Sequence, residues 1–103
     1  MDTLARIKRL VVRRNVLFTQ KAENEMASEF LTPELVYESI LNAPVIFKTL
    51  RSRNPRTRAV EKLYVIKGLT FDGLDIYTKG KIITKKGVDV FYVLISSKHS
   101  TDL

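Results

Sequence analysis

Basic and phenolic side chains are the groups in this sequence that could carry out a reaction. Lysine and arginine can stabilise the negative charge that develops on a phosphorus centre, and a tyrosine or lysine with a shifted pKa can transfer a proton. These groups suit one reaction that needs no metal, in which the 2′-hydroxyl of RNA attacks the adjacent phosphorus. The candidate residues are Lys48, Lys67, Tyr77, Lys79, Lys81, Lys98, Arg51, Arg53, Arg56 and Arg58.

The same side chains have a simpler interpretation, which the residue pattern leaves open. Lysines that alternate along a strand can form a solvated face without any chemical role. Tyr77 can be a half-buried packing residue, since tyrosine is intermediate in its preference for the protein interior.

Several other chemistries lack the residues that they need. The sequence has no cysteine and a single histidine, His99, so a Ser–His–Asp hydrolase would depend on a residue close to the C-terminus. It contains neither a GxxxxGK[ST] loop nor a GxGxxG turn. Asp72, Asp75 and Asp89 stand in or beside turns, where aspartate is favoured for its backbone hydrogen bonds. The sequence therefore predicts no metal site and no cofactor.

The stretch from Glu61 to Lys98 places most of the candidates on strands. Three runs rich in β-branched and aromatic residues are separated by glycine-containing turns at 71–73 and 85–87. This pattern predicts three antiparallel strands joined by hairpins. Successive strand residues point to opposite faces, so the middle strand has a functional face and an apolar face. The functional face carries Tyr77, Lys79 and Lys81, and the apolar face carries Leu74, Ile76, Thr78, Gly80 and Ile82.

The N-terminal half predicts helices that cover the apolar face of these strands. Helical spacing of apolar residues appears over 3–14, within a basic N-terminal segment 1–15, and again over 20–30, where Ala22, Met26 and Phe30 share a face. A third helix begins at Thr32, a good N-cap followed by proline, and ends near Asn42. Short strands are expected at 16–19, on an edge, and at 44–50, with a basic loop over 51–58.

The element order predicts an α+β fold, with the N-terminal helices packed on one face of a small antiparallel sheet. At 103 residues the chain is one domain, 1–103, and we expect its last residues, 99–103, to fray. No apolar run approaches the length of a membrane span, and the N-terminus lacks the features of a signal peptide. We therefore expect a cytoplasmic protein without a membrane partner.

Charge indicates a polyanionic partner. The formal net charge is +7, and residues 48–58 contain five bases and no acid. RNA, DNA, an acidic protein or an anionic surface would each suit such a domain. The basic N-terminal helix has two interpretations of its own, a helix that binds a polyanion or a core-packing helix with a solvated basic face.

The chain resembles the RelE/ParE-like toxin superfamily of bacterial toxin–antitoxin pairs, nearest to its MqsR-like and BrnT-like branches. The likeness runs from about Val16 to Lys98 and rests on the order of elements and on local sequences. These are FTQKAENEM and LTPELVYESILNAP in the helices, IYTKGKI in the middle strand and VLISSK in the last strand.

The resemblance implies a RelE-like fold and an endoribonuclease that cuts mRNA, inhibits translation and is held inactive by an antitoxin. It implies that Tyr77 transfers a proton or positions substrate, and that Lys79 and Lys98 stabilise phosphate or act as acid or base. ParE-type relatives inhibit gyrase instead, so the alternative is a non-enzymatic nucleic-acid-binding or gyrase-inhibiting toxin or interaction module on the same fold. RNA phosphates would be bound by Lys48, Arg51, Arg53, Arg56, Arg58, Lys67 and Lys81, as charge density also indicates.

Overall fold

Three helices and five strands follow one another in the computed structural model, which describes residues 1–101. The α+β class and the order of elements predicted from the sequence are confirmed. The helices span Thr3–Val12 (α1), Gln20–Ser28 (α2) and Pro33–Asn42 (α3). The strands span Val16–Phe18 (β1), Lys48–Arg53 (β2), Val60–Leu69 (β3), Asp75–Lys85 (β4) and Val88–His99 (β5).

The strands form one sheet in the order β1-β5-β4-β3-β2. The last four strands pair antiparallel, but β1 pairs parallel to β5, so the sheet is mixed and the expected antiparallel arrangement is wrong at this edge. The Tyr92 N–H donates to the Asn15 carbonyl and the Thr19 N–H donates to the Leu94 carbonyl, each at 3.0 Å. Three residues are too few for the sequence to indicate whether a strand pairs parallel or antiparallel. In the structure the direction of β1 follows from the packing of α1 and α2 against β5.

Each helix begins at a side chain that accepts a hydrogen bond from the first turn. Asp2, Thr19 and Thr32 accept from the backbone N–H three residues further on, at 2.8, 3.2 and 3.3 Å. These caps satisfy N–H groups that have no partner inside the helix.

Helix α2 ends at Ser28, so Phe30 does not continue its apolar face as the spacing predicts. The Phe30 N–H donates to the Ala27 carbonyl, the Leu31 N–H donates to the Met26 carbonyl, and Phe30 has a φ of 57°. The left-handed Phe30 and the two hydrogen bonds back to the last turn of α2 form a Schellman motif. The motif buries Leu31 and leaves Phe30 90% exposed.

The strand predicted over 44–50 begins and ends later. The β2–β3 ladder continues as far as the pairing of Arg53 with Val60, so Arg51 and Arg53 lie on a strand and not in a loop. Because β3 is long, its edge offers backbone hydrogen bonds beyond the apolar part of β2. The turn therefore begins only at Asn54.

The basic helix α1 is a core-packing helix, since its apolar side lies in the hydrophobic core. Part of its charge is bound within the fold. The Arg6 guanidinium lies 2.7 Å from Asp89, and the guanidinium of Arg14, two residues after the helix, lies 4.5 Å from the centre of the Tyr37 ring. No helix among residues 1–101 has the length and apolar character needed to cross a membrane.

One hydrophobic core lies between the helices and the sheet, and the alternation predicted for β4 is confirmed. Ile76, Thr78 and Gly80 are buried, whereas Tyr77 and Lys79 are half-buried. The sheet therefore presents its polar residues on the side away from the core. The core itself is built from Ile7, Leu10, Val11, Val36, Ile40, Ile66, Ile76, Tyr92 and Leu94.

Strand β5 extends to His99, the first residue of the segment 99–103 that we expected to fray. The Ser100 N–H also donates to the Asp75 carbonyl at 2.8 Å. The chain is therefore hydrogen-bonded to the fold through Ser100, and residues 102 and 103 lie outside the described part.

Candidate nucleic-acid site

Three of the predicted site residues lie side by side on three adjacent strands. In the sheet register Tyr77 of β4 pairs with Lys67 of β3 and with Lys98 of β5. Directly paired residues share a face of the sheet, so the three side chains lie on the same side. The Lys98 ammonium is 5.6 Å from the centre of the Tyr77 ring. The register thus gives a phenol flanked by two cations.

A cavity of about 390 Å³ opens over this row. It is lined by four of the ten residues predicted for the site and also by an exposed phenyl ring, that of Phe47. Since four strands and the chain before β2 contribute, the site depends on the whole antiparallel part of the sheet. The cavity is lined by Phe47, Lys48, Lys67, Tyr77, Lys98, His99, Ser100 and Thr101.

Lys98 is also held from the side by helix α2. Its ammonium lies 3.9 Å from a carboxylate oxygen of Glu25, whose side chain is 19% exposed. The Ser96 hydroxyl and the Ser97 N–H donate to the other oxygen of Glu25, at 2.7 and 3.1 Å. Lys21 completes the set, with its ammonium 3.2 Å from the Glu25 carboxylate.

The electrostatics of Glu25 keep it charged. Burial taken alone raises the pKa of Glu25, but the hydrogen bonds from Ser96 and Ser97 and the charge of Lys21 outweigh it. The net result is a pKa below the ordinary value for glutamate. Glu25 is therefore an anion that ties α2 to β5 beside Lys98.

His99 lines the end of the cavity, where strand β5 ends. Its backbone N–H donates to Glu29 at 2.7 Å, and in the sheet register it pairs with Ile76. Because Ile76 lies in the core, the register assigns the His99 side chain to the face opposite Tyr77 and Lys98. The residue that the sequence offered only to a Ser–His–Asp hydrolase therefore borders the cavity without facing the Tyr77 phenol.

Phe47 forms an aromatic rim to the cavity and is 53% exposed. Its backbone N–H donates to the Val65 carbonyl at 2.8 Å, which anchors it immediately before β2. The Lys67 ammonium lies 4.0 Å from the centre of the Phe47 ring, and the Lys48 ammonium lies 6.0 Å from it. An exposed aromatic ring is thereby held among the cations of the site.

Lys79 and Lys81 share a strand with Tyr77 but do not line its cavity. Lys79 is half-buried and pairs with Ser96. The Lys81 ammonium forms an ion pair with Glu61 at 2.6 Å, about 13 Å along the strand from Tyr77. The hydrogen bond from Lys81 is the main cause that holds the pKa of Glu61 below its ordinary value, and a hydrogen bond from Asn54 adds to it.

The arginines lie at the far end of the β2–β3 hairpin. Arg53 is five residues along β2 from Lys48, or about 16 Å at the rise of an extended strand. Arg51, Arg53, Arg56 and Arg58 are all exposed, and the Arg53 guanidinium donates to the Arg58 carbonyl at 2.9 Å. The structure thus separates a lysine–tyrosine cavity from an arginine-rich hairpin tip.

Phe47, His99 and Glu25 were missed as site residues by the sequence reasoning. Phe47 stands within a run that reads as an ordinary strand, and His99 stands near a terminus. Glu25 lies 71 residues from its partner Ser96. In residues 1–101 no group of three His, Asp or Glu side chains could hold a metal ion.

Comparisons with known proteins found no match for this chain among protein-family models, curated proteins or solved structures. The resemblance to RelE/ParE-like toxins therefore stays a prediction from the sequence. The functional proposal therefore rests on the residues that line the cavity.

Proposed function

We propose that this protein is a metal-independent endoribonuclease that cuts mRNA in the cytoplasm and inhibits translation, as the toxin of a type II toxin–antitoxin pair. The observation that carries the proposal is the convergence of Tyr77, Lys98 and Lys67 on one face of the sheet and in one cavity. Cations can stabilise the phosphorane and a phenol can transfer a proton in cleavage through the 2′-hydroxyl.

In the proposed reaction these groups have separate roles. Lys67 and Lys98 flank the scissile phosphate and stabilise the extra negative charge of the phosphorane. The 2′-hydroxyl passes its proton to a non-bridging phosphate oxygen as its own oxygen bonds to phosphorus, and this proton later returns to Tyr77. Tyr77 hydrogen-bonds the phosphate and gives a proton to the departing 5′-oxygen as its bond to phosphorus breaks. The products are a 2′,3′-cyclic phosphate and a 5′-hydroxyl.

An antitoxin partner belongs to this proposal. It rests on the resemblance of the chain to toxins of this superfamily and on its formal net charge of +7. An acidic protein that covers the cavity would compete with RNA for the same cations.

A second candidate function is nucleic-acid binding or gyrase inhibition without cleavage. It is favoured by the arginine-rich tip, because Arg53 lies about 16 Å along β2 from Lys48 and these exposed cations can bind phosphates without any contribution from the cavity. In this case Arg51→Ala and Arg53→Ala would reduce affinity and its salt dependence as much as changes in the cavity do.

Induced expression in a bacterial host separates the two candidates. The wild-type chain and the Tyr77→Phe/Lys98→Ala variant would be compared for growth, with mRNA 5′ ends mapped by primer extension. Growth arrest with new 5′ ends, both lost in the variant, supports the ribonuclease. Arrest with intact mRNA supports the binding toxin, and normal growth with folded protein contradicts both toxin functions.

A further inference from the structure

We infer that Phe47 is a platform on which an unpaired nucleobase stacks, so that the cavity selects single-stranded RNA over a duplex. The inference rests on the proposed function and names the substrate class of the same site. Its starting point is a large aromatic side chain that is 53% exposed and lies outside the core cluster.

The environment of Phe47 favours a nucleotide over an apolar partner. One cation lies 4.0 Å from the centre of its ring and a second lies 6.0 Å away, and both belong to side chains that line the cavity. An apolar ligand would gain little from this charge. A nucleotide satisfies both features, because its base can stack on the ring while its phosphate meets the lysines.

The position of Phe47 is also fixed before any ligand binds. Its N–H donates to Val65 of the central part of the sheet, and the next residue, Lys48, begins β2. An anchored backbone loses little conformational freedom on binding, so more of the stacking energy remains as affinity.

Stacking on Phe47 requires a base that has left its own stack. In a duplex each base is covered on both faces by its neighbours, and proteins therefore recognise double-stranded RNA by shape and by its backbone. Unpaired bases can turn outward onto an aromatic side chain. The lysines of the cavity bind the phosphates of either form, so Phe47 supplies the discrimination.

The test measures the affinity of the intact protein for a short fluorescein-labelled RNA, as a single strand and as a blunt-ended duplex without unpaired bases, by anisotropy. Phe47→Leu should weaken binding of the single strand about 5-fold to 150-fold, the range for one lost stacked base. Duplex affinity and the salt dependence of binding should stay as in wild type, since the lysines remain. Phe47→Trp should restore single-strand affinity.

Two further measurements complete the test, one on a matched control variant and one on RNAs that lack a single base. Phe71 is 82% exposed on the β3–β4 turn and does not line the cavity, so Phe71→Leu should bind like wild type. Single-stranded RNAs with one abasic position, bound to the wild-type protein, should show one position with the same loss. This arm needs no variant to fold.

Two results would overturn the inference while the proposed function stands. One is unchanged single-strand affinity in Phe47→Leu with every abasic RNA bound like the parent. The other is an equal loss for single strand and duplex. A wild-type protein that binds neither RNA would contradict both the inference and the proposed function.

Discussion

The Lys98 ammonium lies 3.9 Å from the Glu25 carboxylate, which joins the end of strand β5 to helix α2. The same lysine lies 5.6 Å from the centre of the Tyr77 ring. Glu25 thus holds a cation of the cavity without lining the cavity itself. This makes Glu25 a positioning residue in the proposed reaction.

Replacement of Glu25 by glutamine should lower kcat for RNA cleavage about tenfold while KM changes little. A small misplacement of a group that acts in the transition state costs rate more than ground-state binding. The neighbouring Glu23 is exposed on the same helix, and Glu23→Gln serves as the control. Steady-state kinetics on a fluorogenic RNA, at a temperature where both variants are folded, gives the two constants. Equal kcat values for the two variants would show that Glu25 has no positioning role.

The core side of the sheet should be far more sensitive to truncation than the cavity side. Ile76 and Leu94 are fully buried, so Ile76→Ala and Leu94→Ala should each lower the free energy of unfolding by about 2–5 kcal/mol. Tyr77→Phe removes only a hydroxyl on a half-buried face and should cost less than about 1 kcal/mol. Urea denaturation of the three variants tests this ordering. A loss for Tyr77→Phe as large as that for Ile76→Ala would mean that the faces of β4 are misassigned.

Gly68 controls how closely α3 approaches β3. A Cβ added at this position would collide with the backbone carbonyl of Ser39, whose hydroxyl donates to the Gly68 carbonyl at 2.9 Å. Gly68→Ala should therefore lower the free energy of unfolding by about 1–3 kcal/mol or more, as expected for overpacking. Adding Ser39→Ala should give no rescue, because the colliding oxygen belongs to the backbone. Thermal unfolding of the single and double variants measures both effects.

Acid should destabilise the fold partly through Asp89. The hydrogen bond from the Arg6 guanidinium, at 2.7 Å, is the main reason that the pKa of Asp89 lies below its ordinary value of about 4. A depressed pKa in the folded state stabilises the protein above the ordinary value, and this contribution disappears as pH falls through the depressed one. The free energy of unfolding should therefore decline below about pH 4.

Replacement of the aspartate tests this assignment. Asp89→Asn should show a shallower decline between about pH 5 and pH 2 in urea titrations at several pH values, because the ionisation is gone. Asp72→Asn, at an exposed turn position, should keep the wild-type slope. A wild-type slope in Asp89→Asn would exclude Asp89 as a source of acid sensitivity.

Local patterns explain the parts of the fold that the sequence predicts well. The alternation in β4, the two glycine turns and the Thr32 cap each depend on residues a few positions apart, and all appear in the structure. The parallel pairing of β1 and the strand conformation of Arg51 depend instead on where distant elements pack. Neither feature can therefore be predicted from the spacing of residues in the local sequence.

In the candidate site, too, some features depend on local patterns and others depend on the packing of distant elements. The facing of Tyr77 and Lys67 is a consequence of the β3–β4 hairpin, so the sequence could predict it. The pairing of Tyr77 with Lys98 also depends on two register shifts in the β4–β5 ladder, which the hairpin pattern does not predict. Lys79 falls outside the cavity although it shares the face of Tyr77. Glu25 comes from an α-helix far away in the chain, and no spacing rule connects it with Lys98.

The most direct test of the ribonuclease is cleavage of a single-stranded RNA by the purified protein in excess EDTA, with the product ends identified by mass spectrometry. We predict fragments with 2′,3′-cyclic phosphate and 5′-hydroxyl ends, absent with Tyr77→Phe/Lys98→Ala and present with Lys85→Ala, an exposed control at the far end of β4. Intact RNA with the folded wild-type protein, or equal cleavage by the double variant, would contradict the proposed site.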